Sequence, residues 1–310
     1  MAENLYTVSS SPHIRSKDTI QSVMRDVIIA LIPAMIAGIV VFKTEALILL
    51  IVSITSCVVS EWAWQRLTKR PIKVLDLSAV ITGILIALNV PPSLPPWMVV
   101  IGGVFAMIIV KALFGGLGQN IVNPALAARA FLVASYPVAM TTWTLDGVST
   151  ATPLGILKEG GEVLPGLMNV FLGNIGGCIG ETSALALLIG FVYLLYRKVI
   201  SWHIPVYYIG TVFVLSTFMG RNGFMTGNGL YEIMIGGLMI GAIFMATDYT
   251  TSPMTTNGKI IFAIGCGVLT SIIRTFGGYP EGVSYSILIM NLFVPLIDRY
   301  VAPRVFGEVK

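Results

Sequence analysis

The chain has 310 residues, 55% of them hydrophobic, with only 19 Lys/Arg and 15 Asp/Glu. A soluble domain of that length would carry roughly 78 charged side chains at the usual quarter of all residues, and the mean hydropathy of +0.87 agrees. A soluble enzyme, a disordered tail protein, a collagen and a disulfide scaffold are excluded, and a scattered net charge of +4 gives no basis for nucleic-acid binding. What remains is a multi-span protein of the lipid bilayer.

Residues 1–25 are read as a polar N-terminal segment. They contain Arg15 and Lys17 and lack the short apolar core and small-residue cleavage site of a signal peptide. A membrane-crossing helix needs about 20 apolar residues. On that rule the chain predicts spans at 26–42, 46–64, 77–90, 97–113 and 119–135. A loop region covers 136–181, interrupted by an apolar stretch at 164–175. Further spans follow at 182–196, 204–220, 230–247, 259–275 and 283–299, and 300–310 is a tail. The expectation is an all-α membrane protein of about ten transmembrane helices, several of them short.

With the N-terminus in the cytoplasm, fourteen Lys/Arg residues fall on the cytoplasmic side, Arg66, Lys69, Arg70, Lys73 and Lys111 among them. The far side receives Lys43, Lys158, Arg221 and Arg274. The positive-inside rule then puts both termini in the cytoplasm and 136–181 outside it.

A shift of 162 residues places Pro91 on Pro253, Gly103 on Gly265, Phe131 on Phe293 and Phe114-Gly115-Gly116 on Phe276-Gly277-Gly278. It also superposes the predicted helices of 26–135 on those of 182–299. Five spans per half require opposed orientations, which is the inverted-repeat plan of transporters and channels. Proline- and hydroxyl-rich breaks follow the third span of each half, at Asn89–Pro96 by sequence and at Thr247–Pro253. Each is either an interfacial turn or a stretch of backbone lining a wet cavity.

Candidate functional residues are few. Asp248 closes a predicted span, opposes the helix dipole and needs a compensating partner, such as a cation, a ligand hydroxyl or Lys259; the alternative is an acid solvated at the interface. Arg129, in the middle of a span, either meets an anionic ligand or buried acid or snorkels. Glu181 and Glu232 are read as interfacial acids. Cys57, Cys178 and Cys266 lie far apart in apolar runs, and the histidines are His13 and His203. No zinc site or all-cysteine cluster is expected from this chain alone. Buried thiols are the reading, with a ligand to a cluster shared with a partner as the alternative.

The loop contains Leu145-Asp146-Gly147-Val148-Ser149-Thr150-Ala151-Thr152-Pro153-Leu154. By composition this is a Ser/Thr-rich turn. The pattern resembles the site at which a flavin transferase attaches FMN to threonine through a phosphoester, and the matching acceptor is Thr152. Thr150 stands where glycine is common. Two further segments extend the resemblance over residues 25–299: Phe114-Gly115-Gly116-Leu117-Gly118-Gln119-Asn120-Ile121-Val122-Asn123-Pro124-Ala125, and Ala246-Thr247-Asp248 with Thr251-Ser252-Pro253. Together they resemble the family that contains the D subunit of the Rnf electron-transport complex and the B subunit of the sodium-pumping NADH:quinone reductase. The short polar N-terminal segment is closer to the Rnf branch.

That resemblance implies an electron-carrier subunit of a complex coupling ferredoxin:NAD electron transfer to sodium or proton movement in a prokaryotic inner membrane. It implies covalent FMN on Thr152, a non-covalent riboflavin, other Rnf subunits including a second covalent-flavin subunit, and a flavin transferase for maturation. Asn120, Asn123, Arg129 and Asp248 are the candidates for the riboflavin site or ion path. No catalytic side chain and no metal ligand is assigned, because the flavin does the redox chemistry. A flavin-free channel or transporter for a small solute, or a cofactor-free assembly subunit, is the alternative. The same helical plan serves any of the three.

Overall fold

The computed structural model describes residues 19–302 apart from 146–147, 150, 160–163, 174, 220–226 and 279–280. Of the flavin-attachment pattern, Asp146, Gly147 and Thr150 therefore lie outside the described residues.

The architecture is helical, with one small exception. α1 (Ile20–Leu67) is followed by α2 (Ser78–Leu88), α3 (Pro96–Val104) with a π-wound continuation (Phe105–Ala112), and α4 (Pro124–Ser135). The loop region holds α5 (Pro137–Thr141), a hairpin of β1 (Thr144–Leu145) and β2 (Val148–Ser149), α6 (Pro153–Glu159) and α7 (Leu167–Leu172). Then come α8 (Ala184–Tyr196), α9 (His203–Phe218), α10 (Gly229–Met234) and α11 (Leu238–Ile240) with a π-wound continuation (Gly241–Met245). The last helices are α12 (Thr256–Phe276) and α13 (Val283–Tyr300).

Three features depart from the expected spans, each for a local reason. The first two spans form one 48-residue element, but Lys43 has φ 52° and ψ −125°, so two helices meet there across a kink. The span expected from 119 begins only at Pro124. Gly115, Gly116 and Gly118 take positive φ, and Asn123 caps the helix with proline at its first position. The span expected at 230–247 is broken: α10 stops at Met234, Ile235 is extended, Gly236 has φ 68°, and the chain re-enters as α11.

Among the described residues two helices, α1 and α12, are long and apolar enough to cross a bilayer by themselves, and shorter apolar helices of 10–17 residues accompany them. The side-chain distribution explains how the shorter ones fit an apolar solvent. Ile36, Val40, Ile51, Val59, Val192 and Leu292 face outward, whereas Ser53, Asn89, Asn123, Arg129, Thr270 and Asn291 are buried. Backbone carbonyls inside are satisfied by these side chains: Ser53 Oγ donates to Gly83 O at 2.7 Å, as backbone at membrane depth requires.

The halves meet through equivalent helices. α1 packs on α8, and α4 packs on α13. At the first junction a Cβ on Gly190 would lie 2.3 Å from Ala30 O, so only glycine permits the approach. Asp26 on α1 accepts there from Arg197 Nε at 3.1 Å and Tyr193 Oη at 3.1 Å. Residues separated by the 162-residue shift also make matching contacts. Arg129 donates to Asn89 Oδ1 at 3.0 Å, and Asn291 donates to Thr251 O at 2.8 Å. In both halves the fifth helix thus holds the break after the third span, a correspondence that duplication of one unit produces.

Candidate functional site

Between α1, α2 and the Leu117–Ala125 stretch on one side and the Phe244–Thr250 stretch on the other lies a cavity of about 110 Å3. Val27, Ile81, Leu85 and Phe244 supply apolar wall; Ser78, Lys111, Asn120, Asn123 and Asp248 supply polar groups. Three of the four residues selected from the sequence for cofactor or ion binding are therefore brought together here.

Their roles differ. Asn123 is largely engaged in structure. Its Oδ1 accepts from Ala125 N at 3.0 Å and Leu126 N at 3.3 Å, its Nδ2 donates to Met245 O at 3.2 Å, and its own N–H donates to Asn291 Oδ1 at 3.2 Å. It caps α4 and staples that helix to the second half. Asn120 is the opposite case, because its Oδ1 is buried with no hydrogen-bond partner. Asp248 obtains the partner that the helix-dipole argument requires from two hydroxyls. Thr250 Oγ1 donates at 2.9 Å and Thr251 Oγ1 at 3.2 Å, and Lys259 is not involved.

Arg129 belongs to a different centre. It is buried, and its guanidinium donates to Asn89 Oδ1, to Glu181 Oε1 at 3.5 Å and to Glu281 Oε2. It thus meets buried acids rather than snorkelling. Glu181, expected at an interface, is 5% exposed and part of this network. Cys178 Sγ lies 3.5 Å from Arg129 Nη2. Ligand atoms of Cys178, Glu181 and Glu281 all fall within 4.8 Å of one another, and the guanidinium supplies the positive charge among them. Arg274 lies alongside, 1% exposed. It donates to Glu232 O at 2.7 Å and Ile235 O at 3.2 Å, so it caps the interrupted end of α10.

Lys111, counted above on the cytoplasmic side, is 2% exposed in its side chain and bonds Glu61 Oε1 at 2.8 Å and Ser78 Oγ at 2.6 Å. It sits in the last turn of the π-wound segment. Lys111 and Leu117 line both the cavity and a second, outer hollow of about 680 Å3, whose walls include Glu61, Trp64, Arg70, Lys73 and Asp76.

Thr152 is half-buried immediately before α6. Its hydroxyl accepts from Gly155 N at 3.0 Å, and the hydroxyl proton has no acceptor among the described residues. Two residues on, Leu154 is anchored in a small core with Val170, Ile175, Tyr231 and Ile235. It also faces Gly236, which Arg274 and Glu281 approach as well. The threonine is therefore held on the side of the α10–α11 break and the Arg129 centre.

The sequence pattern of the NQR2, RnfD, RnfE family matches residues 7–307. The chain belongs to that family. It is therefore a membrane protein of the all-α class, in agreement with the outward apolar faces. Among relatives of this NQR2/RnfD/RnfE chain is the D subunit of the Na(+)-translocating ferredoxin:NAD(+) oxidoreductase complex of Acetobacterium woodii. It is 51% identical over 317 residues, covering 100% of this chain and 98% of the relative. The D subunit of the proton-translocating ferredoxin:NAD(+) oxidoreductase complex of Clostridium ljungdahlii is 48% identical over 98% of this chain and 97% of the relative. The D subunit of the ion-translocating oxidoreductase complex of Stutzerimonas stutzeri is 38% identical over 94% of this chain and 93% of the relative. The sodium- and proton-translocating relatives are almost equally similar to this member of the family, so overall identity does not select the ion.

Four polar residues of these centres were not among the candidate functional residues read from the sequence: Glu61, Asn89, Lys111 and Glu281. The signal for two of them was present, since Glu61 and Lys111 each interrupt a long apolar run, where an ionisable residue calls for a partner. Glu281 follows the sequence Gly277-Gly278-Tyr279-Pro280, and only the fold brings it to Arg129.

Proposed function

We propose that this chain is a membrane-embedded, flavin-carrying electron-transfer subunit of an ion-translocating ferredoxin:NAD oxidoreductase complex, with FMN attached through a phosphoester to Thr152. The observation that carries this reading is Thr152 itself. Its hydroxyl stands in the attachment pattern, at the loop surface, with an O–H that no described acceptor engages, on a segment anchored by Leu154. The hydroxyl oxygen attacks a phosphorus of FAD, its proton leaves, and AMP departs as the phosphoester forms. Lys/Arg placement supports cytoplasmic termini and an extracytoplasmic Thr152, where a transferase and a second covalent-flavin subunit have access.

The interior cavity is the site proposed for a non-covalent riboflavin. The Oδ1 of Asn120, buried without a hydrogen-bond partner among the described residues, offers an acceptor to a ring N–H or ribityl hydroxyl. Lys111 and Ser78 add donors, while Asn123 shapes the wall and keeps one Nδ2 N–H beyond its bond to Met245 O. When bound, the flavins supply the redox chemistry and the protein supplies position and electrostatics. The threonine-capped Asp248 offers oxygen atoms to a sodium ion or a proton, and this chain's own residues suit either.

The test is the complex carrying Thr152→Ala. Unchanged subunit composition with loss of ferredoxin-dependent NAD reduction and of the coupled ion gradient is expected. Full coupled activity in that variant would overturn the reading and favour a cofactor-free assembly subunit. Passive solute flux through the wild-type chain alone in liposomes would favour the channel alternative.

A further inference from the structure

We infer that Lys111, charged from Glu61, is the proton-delivery residue for a redox ligand held in the interior cavity. This deepens the riboflavin reading and rests on it.

Three observations lead there. First, Lys111 is the polar residue that lines both spaces. Ser78 lines the inner cavity, Glu61 and Asp76 line the outer hollow, and Lys111 stands in the wall between them. Second, the hydrogen bonds form one continuous chain through that wall. Ser78 Oγ donates to Asp76 Oδ1 at 2.6 Å, Lys111 Nζ donates to Ser78 Oγ at 2.6 Å, and Lys111 Nζ donates to Glu61 Oε1 at 2.8 Å. Third, the wall has spare capacity. Two of the three ammonium donors are engaged, leaving one N–H for a ligand. Glu61 Oε2 and Trp64 Nε1 are buried without partners on the outer side, and Asn120 Oδ1 on the inner side. A purely structural ion pair would saturate its carboxylate, because each unmet buried polar atom costs about 1–3 kcal/mol. These atoms are placed where water and protons would pass. The π-wound turn that carries Lys111 is itself a rare winding found mostly at functional sites.

The chemistry balances. An electron delivered to a flavin in the cavity by an external reductant adds one negative charge in an apolar space, and one proton cancels it. The free N–H bond of Lys111 breaks and the proton forms a new N–H bond at the ring. The Glu61 carboxylate takes up a hydrated proton from the outer hollow, and the O–H bond so formed then breaks as the proton restores the ammonium, leaving Glu61 a carboxylate again. The net input is one electron from the reductant and one proton from the outer hollow. The other titratable or charged groups facing this route are Asp76 through Ser78, Cys57 beside Lys111, Arg70 and Lys73 in the outer hollow, and Asp248 across the cavity.

The experiment uses the full chain, produced without a flavin transferase, purified in detergent and titrated with riboflavin. Quenching of flavin fluorescence reports binding. Stopped-flow reduction by dithionite, in H2O and D2O with a pH indicator, reports electron and proton arrival. Glu61→Gln keeps an acceptor for Lys111 but cannot carry a proton. It is expected to bind riboflavin within about twofold of wild type, while proton uptake and flavin bleaching slow about a hundredfold, the lower end of the range for general acid catalysis. The solvent isotope effect should rise with it. Lys111→Met alone leaves Glu61 buried and unpaired, so Lys111→Met/Glu61→Gln, which removes both charges, is the second variant and should show the same slowing. Normal binding with wild-type rates and isotope effect in both variants would overturn the relay. Failure of the wild-type chain to bind riboflavin would instead overturn the cavity reading, and the relay with it.

Discussion

Replacing Arg129 by methionine tests whether the buried charge network organises the interior. The substitution removes the guanidinium and leaves two carboxylates, Glu181 and Glu281, with ligand atoms within 4.8 Å of each other. At an effective dielectric of 20, two unit charges at that distance repel by about 3–4 kcal/mol. Removal of one partner from a buried ion pair costs about 3–5 kcal/mol, so the two routes to the number agree. With a shift of about 2 °C per kcal/mol for a chain of this size, the midpoint for loss of the monodisperse species in detergent should fall by about 6–8 °C. Arg129→Met/Glu281→Gln removes the repulsion as well as the cation and should recover at least half of that loss. A single variant within about 2 °C of wild type, or a double variant no better than the single, would refute the assignment of the network as a mutually compensated buried centre.

Other substitutions probe the frame around the sites, each read by the same thermal assay. Gly190→Ala places a methyl 2.3 Å from Ala30 O and should cost about 2 kcal/mol or more through overpacking. Gly210→Ala, where nothing lies within 4 Å, should be neutral or slightly stabilising. Asn123→Ala should lose about 1 kcal/mol from the helix cap and more from the stranded Met245 carbonyl, with Asn123→Asp falling between it and wild type because only the cap acceptor survives. Arg274→Met leaves the carbonyls of Glu232 and Ile235 unmet and should cost about 2–6 kcal/mol at about 1–3 per buried acceptor.

Periodicity and hydropathy were enough to read most of the helices, because apolar length is the physical requirement for a span and is written directly in the chain. The interruptions were harder. The break at Ile235–Gly237 lies inside an apolar run, and only the capping of α10 by Arg274, 39 residues away from Ile235, makes it stable. Arg129 was legible as an anomaly because one arginine in a span demands compensation, yet its partners lie 40 to 152 residues away and no local pattern encodes them. Asn123 lines the cavity and also caps α4, and the cap was legible by local rules, as an asparagine before proline at a helix start. Positive-inside counting assigns Lys111 a side of the membrane and says nothing of its burial, so its pairing with Glu61 and Ser78 emerges only in the fold. The duplicated plan was visible in scattered identities, and the matched contacts of Arg129 with Asn89 and Asn291 with Thr251 give it a physical basis.

The central claim is that this chain carries a flavin covalently, and mass spectrometry of the denatured chain tests it most directly. The protein should be co-produced with its partner subunits and a flavin transferase of demonstrated activity on a known acceptor. An FMN adduct on the proteolytic peptide containing Thr152, absent from Thr152→Ala, is the predicted result. An unmodified Thr152 peptide under those conditions would contradict the account.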